Sequence, residues 1–222
     1  RAREALRQAG ARLSGKVVVI DPGHGGPDRG NVGHGLEEAT VVEDLAARVE
    51  GRLGATGVQA YLTRGVVLSE ELEEYTRAHF ANEANANLVI SLHVDAHPNP
   101  AACGVATYFY GSDRPEADRP GVNSVIGETF AGLIQREIIA RTDLLDCRSH
   151  AKTWDLLRHT RMAAVRVELG YLSNQRDAER LADPAFRDVV AEAIVVAVQR
   201  VYLPSHEDAQ TGALRLRDLA GA

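Results

Sequence analysis

The sequence predicts one α/β domain, a mixed, mainly parallel, twisted sheet with helices on both faces. Three observations predict it. Apolar runs of strand length, VVVI at 17–20 and LVISL at 88–92, alternate with longer stretches of helical periodicity. Strands and helices take turns along the chain in the order βαβαββαβα, which requires crossovers and hence parallel strands. A length of 222 residues, 45% of them hydrophobic, suits a single well-filled core.

The elements follow in order. Lys16–Ile20 reads as a buried strand running into Asp-Pro-Gly and a glycine-rich loop to Gly35. From Glu37 to Ala55 the residues Val41, Val42, Leu45, Val49 and Leu53 recur at helical spacing, and Gly57 stops the helix. Val58–Thr63 is the second strand. Ser69 is the expected N-cap of a helix to Asn85, with Glu70, Glu71, Glu73 and Glu74 at its positive end. Leu88–His93 and Val105–Tyr110 are further strands, separated by a loop through Pro98 and Pro100. After a polar insertion at Gly111–Pro120, a helix carries Val122, Val125, Ile126, Phe130, Leu133 and Ile134 on one face. Ala163–Leu169 is a strand. Asp183-Pro184 opens a helix to Tyr202, with Phe186, Val189, Val190, Ala193, Ile194, Ala197, Val198 and Val201 as its stripe.

Composition narrows the function. A net charge of −6 and a pI near 5.8 argue against nucleic acid or an anionic membrane surface as partner. No apolar run reaches the roughly 20 residues of a transmembrane helix. The chain begins at Arg1 without a signal-peptide pattern and reads as a fragment or processed form. Cys103 and Cys147 form no CxxC motif; they pair in an oxidising compartment or stay free in a reducing one.

Ligands in open α/β sheets bind outside the carboxyl ends of the strands. His24 follows the first strand, His93 closes the third, and Glu168 ends the Ala163–Leu169 strand. Glu38 opens the first helix near the same edge. Two histidines and a carboxylate make a catalytic zinc set with one position left for water. A further carboxylate off the metal, the role given to Glu168, would move the proton. A carboxylate among Val165, Val167 and Leu169 is costly without a purpose or partner. Competing ligands are close by: His34, Glu37, Asp95 and His97, whereas Glu43 falls on a solvated helix face. His79, His150, His159 and His206 have no carboxylate or glycine context.

The stretches VVVIDPGHGG (17–26), GLEEATVVEDLA (35–46), YLTRG (61–65), ANLVISLHVDAH (86–97) and RVELGYLSN (166–174) resemble the zinc-dependent N-acetylmuramoyl-L-alanine amidases of bacterial cell-wall turnover. The resemblance implies zinc ligands at His24, Glu38 and His93, so Glu38 rather than Glu37, and a catalytic glutamate at Glu168. It implies cleavage of the amide between the lactyl group of N-acetylmuramic acid and L-alanine of the stem peptide. Residues 1–15 are then an approach segment, 16–203 the zinc hydrolase domain and 204–222 a flexible tail. The implied setting is the cell envelope or the exterior, or the cytoplasm if the full-length chain has no signal peptide, with upstream domains or regulatory protein partners compatible with it. The chain departs from the family pattern at Val94–His97, at Ala163 and Ala164 where the family has Pro, and in the Gly111–Pro120 insertion. These departures touch substrate access and no catalytic group. The alternative reading is an amidase-like module with little or no activity that binds or regulates in cell-wall synthesis.

Overall fold

The computed structural model describes residues 13–65, 71–112 and 123–203. Its elements are β1 (Val17–Pro22), β2 (Val32–Gly33), β3 (Leu36–Glu37), α1 (Glu38–Gly54), β4 (Gln59–Leu62), α2 (Glu74–Glu83), β5 (Leu88–Asp95), β6 (Val105–Tyr110), α3 (Val125–Ile139), β7 (Asp146–Lys152), α4 (Asp155–His159), β8 (Ala163–Tyr171), α5 (Gln175–Ala182) and α6 (Pro184–Val201). One six-stranded sheet runs β4-β1-β5-β8-β6-β7. β4, β1, β5 and β8 are mutually parallel, β6 runs against β8, and β7 follows β6. The expected mixed, mainly parallel sheet is what the chain forms.

Alternation along the strands divides the interior into two layers. Val18, Ile20, Ile90, Leu92, Val165 and Val167 face one side, where α1, α3 and α6 pack. Val19, Val89 and Ala164 face the other, against Ala81 of α2 and Leu156 and Leu157 of α4. Helices therefore cover both faces. Leu13, within the stretch read as an approach segment, is fully buried in the larger layer. No helix among the described residues is long and apolar enough to cross a membrane.

Several expectations need correcting. β1 continues through Asp21 and Pro22, because Asp21 and Pro22 pair in register with Ser91 and Leu92 of β5. β5 and β8 likewise run beyond His93 and Leu169. α2 ends at Glu83, where Asn85 takes a left-handed backbone at φ 49° that Asn tolerates better than most residues. Ser69, Val122, most of the Gly111–Pro120 insertion, His206 and the 204–222 tail lie outside the described residues. Val125 and Ile126 are 73% and 62% exposed rather than inward-facing. Ser124 caps α3 by accepting from the Gly127 amide, and the buried stripe starts at Gly127, so the first turn stands clear of the sheet. α6 is buried around its whole circumference from Ala193 to Arg200, not along one stripe. β2, β3, β7, α4 and α5 were not expected. β7 (DCRSHAK) is a polar edge strand with no apolar run to announce it.

Because β6 opposes β8, the 96–104 segment leaves β5 and enters β6 at the same sheet edge. Hydrogen bonds pin its surroundings to the chain leaving β8: Leu172 N to Asp95 O (2.8 Å), His97 N to Ser173 Oγ (3.0 Å), Asn174 Nδ2 to Pro100 O (2.7 Å) and Gly104 N to Asp177 Oδ2 (2.8 Å).

Candidate metal centre

β1 delivers the first residue. After Pro22 the chain turns at Gly23, and His24 adopts φ 58°, a conformation that costs a side-chain-bearing residue energy unless its surroundings hold it. Two buried arginines hold it. Arg64 donates from Nε to Pro22 O (2.9 Å) and from Nη2 to Gly23 O (3.2 Å), and Arg77 donates from Nη2 to His24 O (2.8 Å). The His24 ring is aimed by Asp28, whose Oδ2 lies 2.6 Å from Nδ1. That leaves Nε2 facing Glu38 Oε1 at 3.1 Å.

Glu38, in the first turn of α1, is almost fully buried, and its carboxylate is surrounded by donors. Oε2 accepts from Asn31 N (2.9 Å) and Asn31 Nδ2 (3.0 Å). Oε1 accepts from Val94 N (3.0 Å) and faces His93 Nδ1 at 2.9 Å. Burial alone would raise this carboxyl, but hydrogen bonds from His24 and His93 hold it far below the ordinary glutamate range. The Glu38 hydrogen bond in turn raises His24, against burial. The two imidazoles meet nearly edge to face, 5.0 Å between centroids.

His24, Glu38 and His93 each offer one ligand atom, all within 4.8 Å of one another. The set fits a metal ion: two imidazole nitrogens and one anionic oxygen converge, with His24 held from behind by Asp28 and Glu38 by Asn31 and the Val94 amide. The backbone makes room for them. A Cβ on Gly23 would sit 2.1 Å from His93 Cε1, and one on Gly30 2.7 Å from Glu38 Oε2.

Glu168 lies beside this group, as the register partner of His93 on β8. It is 6% exposed, and burial pushes its carboxyl above the ordinary range, with Arg166 and His93 opposing. Arg166 Nε donates to Glu168 Oε1 at 2.7 Å. His97 is exposed on the following loop, its Nδ1 accepting from Asn99 N (3.0 Å), and stands outside the three-residue group. Glu37 is turned outward and paired with Arg29. Sequence reasoning missed Asp28, Asn31, Arg64 and Arg77. Arg64 lies in the YLTRG stretch, and Asp28 and Asn31 in the glycine-rich loop, but no local pattern says which atoms they would meet.

Residues 18–200 match the N-acetylmuramoyl-L-alanine amidase family. The chain belongs to this family. Among its relatives, N-acetylmuramoyl-L-alanine amidase CwlM of Mycobacterium tuberculosis is 42% identical over 99% of this chain and 53% of its own length. LytC of Bacillus subtilis, named as the same type of amidase, is 31% identical over 81% of this chain and 34% of its own. This amidase-family chain thus spans about half of one relative and a third of the other. The solved N-acetylmuramoyl-L-alanine amidase AmiC2 of Nostoc punctiforme superposes with a TM-score of 0.74 at 31% identity, covering 84% of this chain and 97% of that one.

Proposed function

We propose that this chain is a zinc-dependent N-acetylmuramoyl-L-alanine amidase of the cell wall, its hydrolase domain spanning residues 16–203. The observation that carries the reading is the convergence of His24, Glu38 and His93 with a buried carboxylate, Glu168, on the adjoining strand. His24, Glu38 and His93 would hold the ion; two imidazoles with a carboxylate and an open position suit zinc. When bound, zinc supplies Lewis acidity to the scissile carbonyl and to the attacking water.

The remaining chemistry falls to the chain. Glu168 takes the proton of the water as its oxygen bonds to the lactyl carbonyl carbon, then passes that proton to the departing nitrogen of L-alanine. The C–N bond breaks, leaving a lactyl carboxylate and a free amine. A carboxyl raised by burial holds a proton more readily than an ordinary glutamate, which suits it to accept one and return it. Asp28 keeps His24 in one tautomer and orientation. The negative net charge disfavours nucleic acid as substrate, and the family match supports a peptidoglycan or muropeptide.

Zinc-loaded protein incubated with muropeptides should release free stem peptides bearing an L-alanine amino terminus. Glu168→Gln should keep its zinc while turnover falls about 10²- to 10⁴-fold. A wild type that holds zinc and releases no stem peptide overturns the activity; an unimpaired Glu168→Gln overturns the mechanism.

A further inference from the structure

On β8 residues two apart share a face, so Arg166 and Glu168 stand side by side above the layer holding α2 and α4. The Arg166 guanidinium is fixed on three sides. Nε donates to Glu168 Oε1 at 2.7 Å, and Nη1 donates to Glu74 Oε1 at 3.0 Å. Its Cζ lies over the Trp154 ring, 4.6 Å from the centroid. The holders are held in turn. Glu74 Oε2 accepts from Leu156 N (3.1 Å) in the first turn of α4, and Trp154 packs on Tyr108, 4.7 Å between centroids.

A glutamate side chain has three rotatable bonds, and burial does not by itself choose among their settings. Among the described residues, Arg166 is the hydrogen-bond donor to Glu168, and it engages Oε1. Oε2 is left for chemistry. An arginine suits the task because its planar fork can serve two carboxylates in fixed directions while stacking on an indole; a lysine presents a point charge.

We propose that Arg166 is a positioning residue, which fixes the Glu168 carboxylate through Oε1 while Glu74 and Trp154 fix Arg166. The inference rests on Glu168 being the proton carrier, and it adds that α2 and α4 set where that carboxylate points. Arg166→Met removes both donors at similar length. Arg166→Lys keeps a donor and the charge. Glu74→Gln weakens only the far end of the clamp.

The test uses the full chain loaded with zinc. Arg166→Met should lower kcat about 10- to 100-fold, the usual cost of losing a residue that orients a catalytic group, with KM and zinc content near wild type. Arg166→Lys should restore part of the loss, and Glu74→Gln should fall between Arg166→Met and wild type. A merely structural arginine would lower Tm and leave kcat in place, which overturns the proposal. A second readout needs no turnover. With ¹³C-carboxyl glutamate, the Glu168 resonance, identified by its absence in Glu168→Gln, should shift in Arg166→Met and in Glu74→Gln. An unmoved resonance overturns the clamp even if the wild type proves inactive, and a moved resonance in an inactive wild type separates the clamp from the hydrolase reading. If Arg166→Met does not fold, Arg166→Lys and Glu74→Gln decide both readouts.

Discussion

His93 and Glu168 are direct register partners on the neighbouring parallel strands β5 and β8, so one metal-competent imidazole and one buried carboxylate leave the same sheet edge side by side. A one-residue slip between these strands would send the two side chains to opposite faces. The site is therefore as well defined as the strand pairing.

Glu38 and Glu168 are both carboxylates, and exchanging each for its amide should separate their roles. Glu38→Gln replaces the anionic oxygen between His24 and His93 with a neutral group. Zinc affinity should fall, and the fall should appear in elemental analysis after dialysis, whereas Glu168→Gln keeps the metal. Equal zinc content in both variants would contradict the assignment.

Gly23→Ala should damage the centre without touching a ligand. The added methyl would stand 2.1 Å from His93 Cε1, so the ring must move. We expect zinc affinity to drop about tenfold or more in chelator competition, with the secondary structure unchanged by circular dichroism.

Asp21 is one of the carboxylates that make the fold sensitive to acid. Burial would raise this carboxyl, but the Arg77 charge, with hydrogen bonds from Thr63, Arg77 and Ser91, holds it below the ordinary value of 3.8. A folded-state value below the unfolded one stabilises the protein fully above that ordinary value. The contribution is lost as pH falls through it towards the folded value. Asp21→Asn leaves Arg77 buried without its counter-ion and should cost about 3–5 kcal/mol. Denaturant melts from pH 6 to pH 2 should also show a flatter acid limb than wild type.

Cys103 and Cys147 are free thiols, with Cys147 Sγ donating to the Cys103 carbonyl at 3.4 Å. Burial, then the neighbouring Cys103, raises the Cys147 thiol. Unreduced, denatured protein should titrate two thiols, and in the native state Cys147 should react slowly at neutral pH. A count of zero would mean that the purified protein carries a bridge.

Much of the frame was legible because burial writes itself into sequence as apolar runs. β5 and β6 stand where LVISLH and VATYFY place them, and His93 and Glu168 show as polar residues closing such runs. β7 was illegible because an edge strand with one wet face needs no apolar pattern. Val125 and Ile126 misled because helical spacing says which residues share a face, not how far the sheet beneath extends. Arg64 and Arg77 are distant in sequence from the His24 turn, and only the folded chain shows that their guanidinium groups close its carbonyls.

The stitched 96–104 segment has a kinetic consequence. A gate needs backbone that can change its torsions at little cost, and this stretch has the His97 amide, the Pro100 carbonyl and the Gly104 amide tied to Ser173, Asn174 and Asp177. Those three bonds would have to break before the stretch could swing. With no loop opening ahead of the reaction, Arrhenius plots of turnover should stay straight up to global melting.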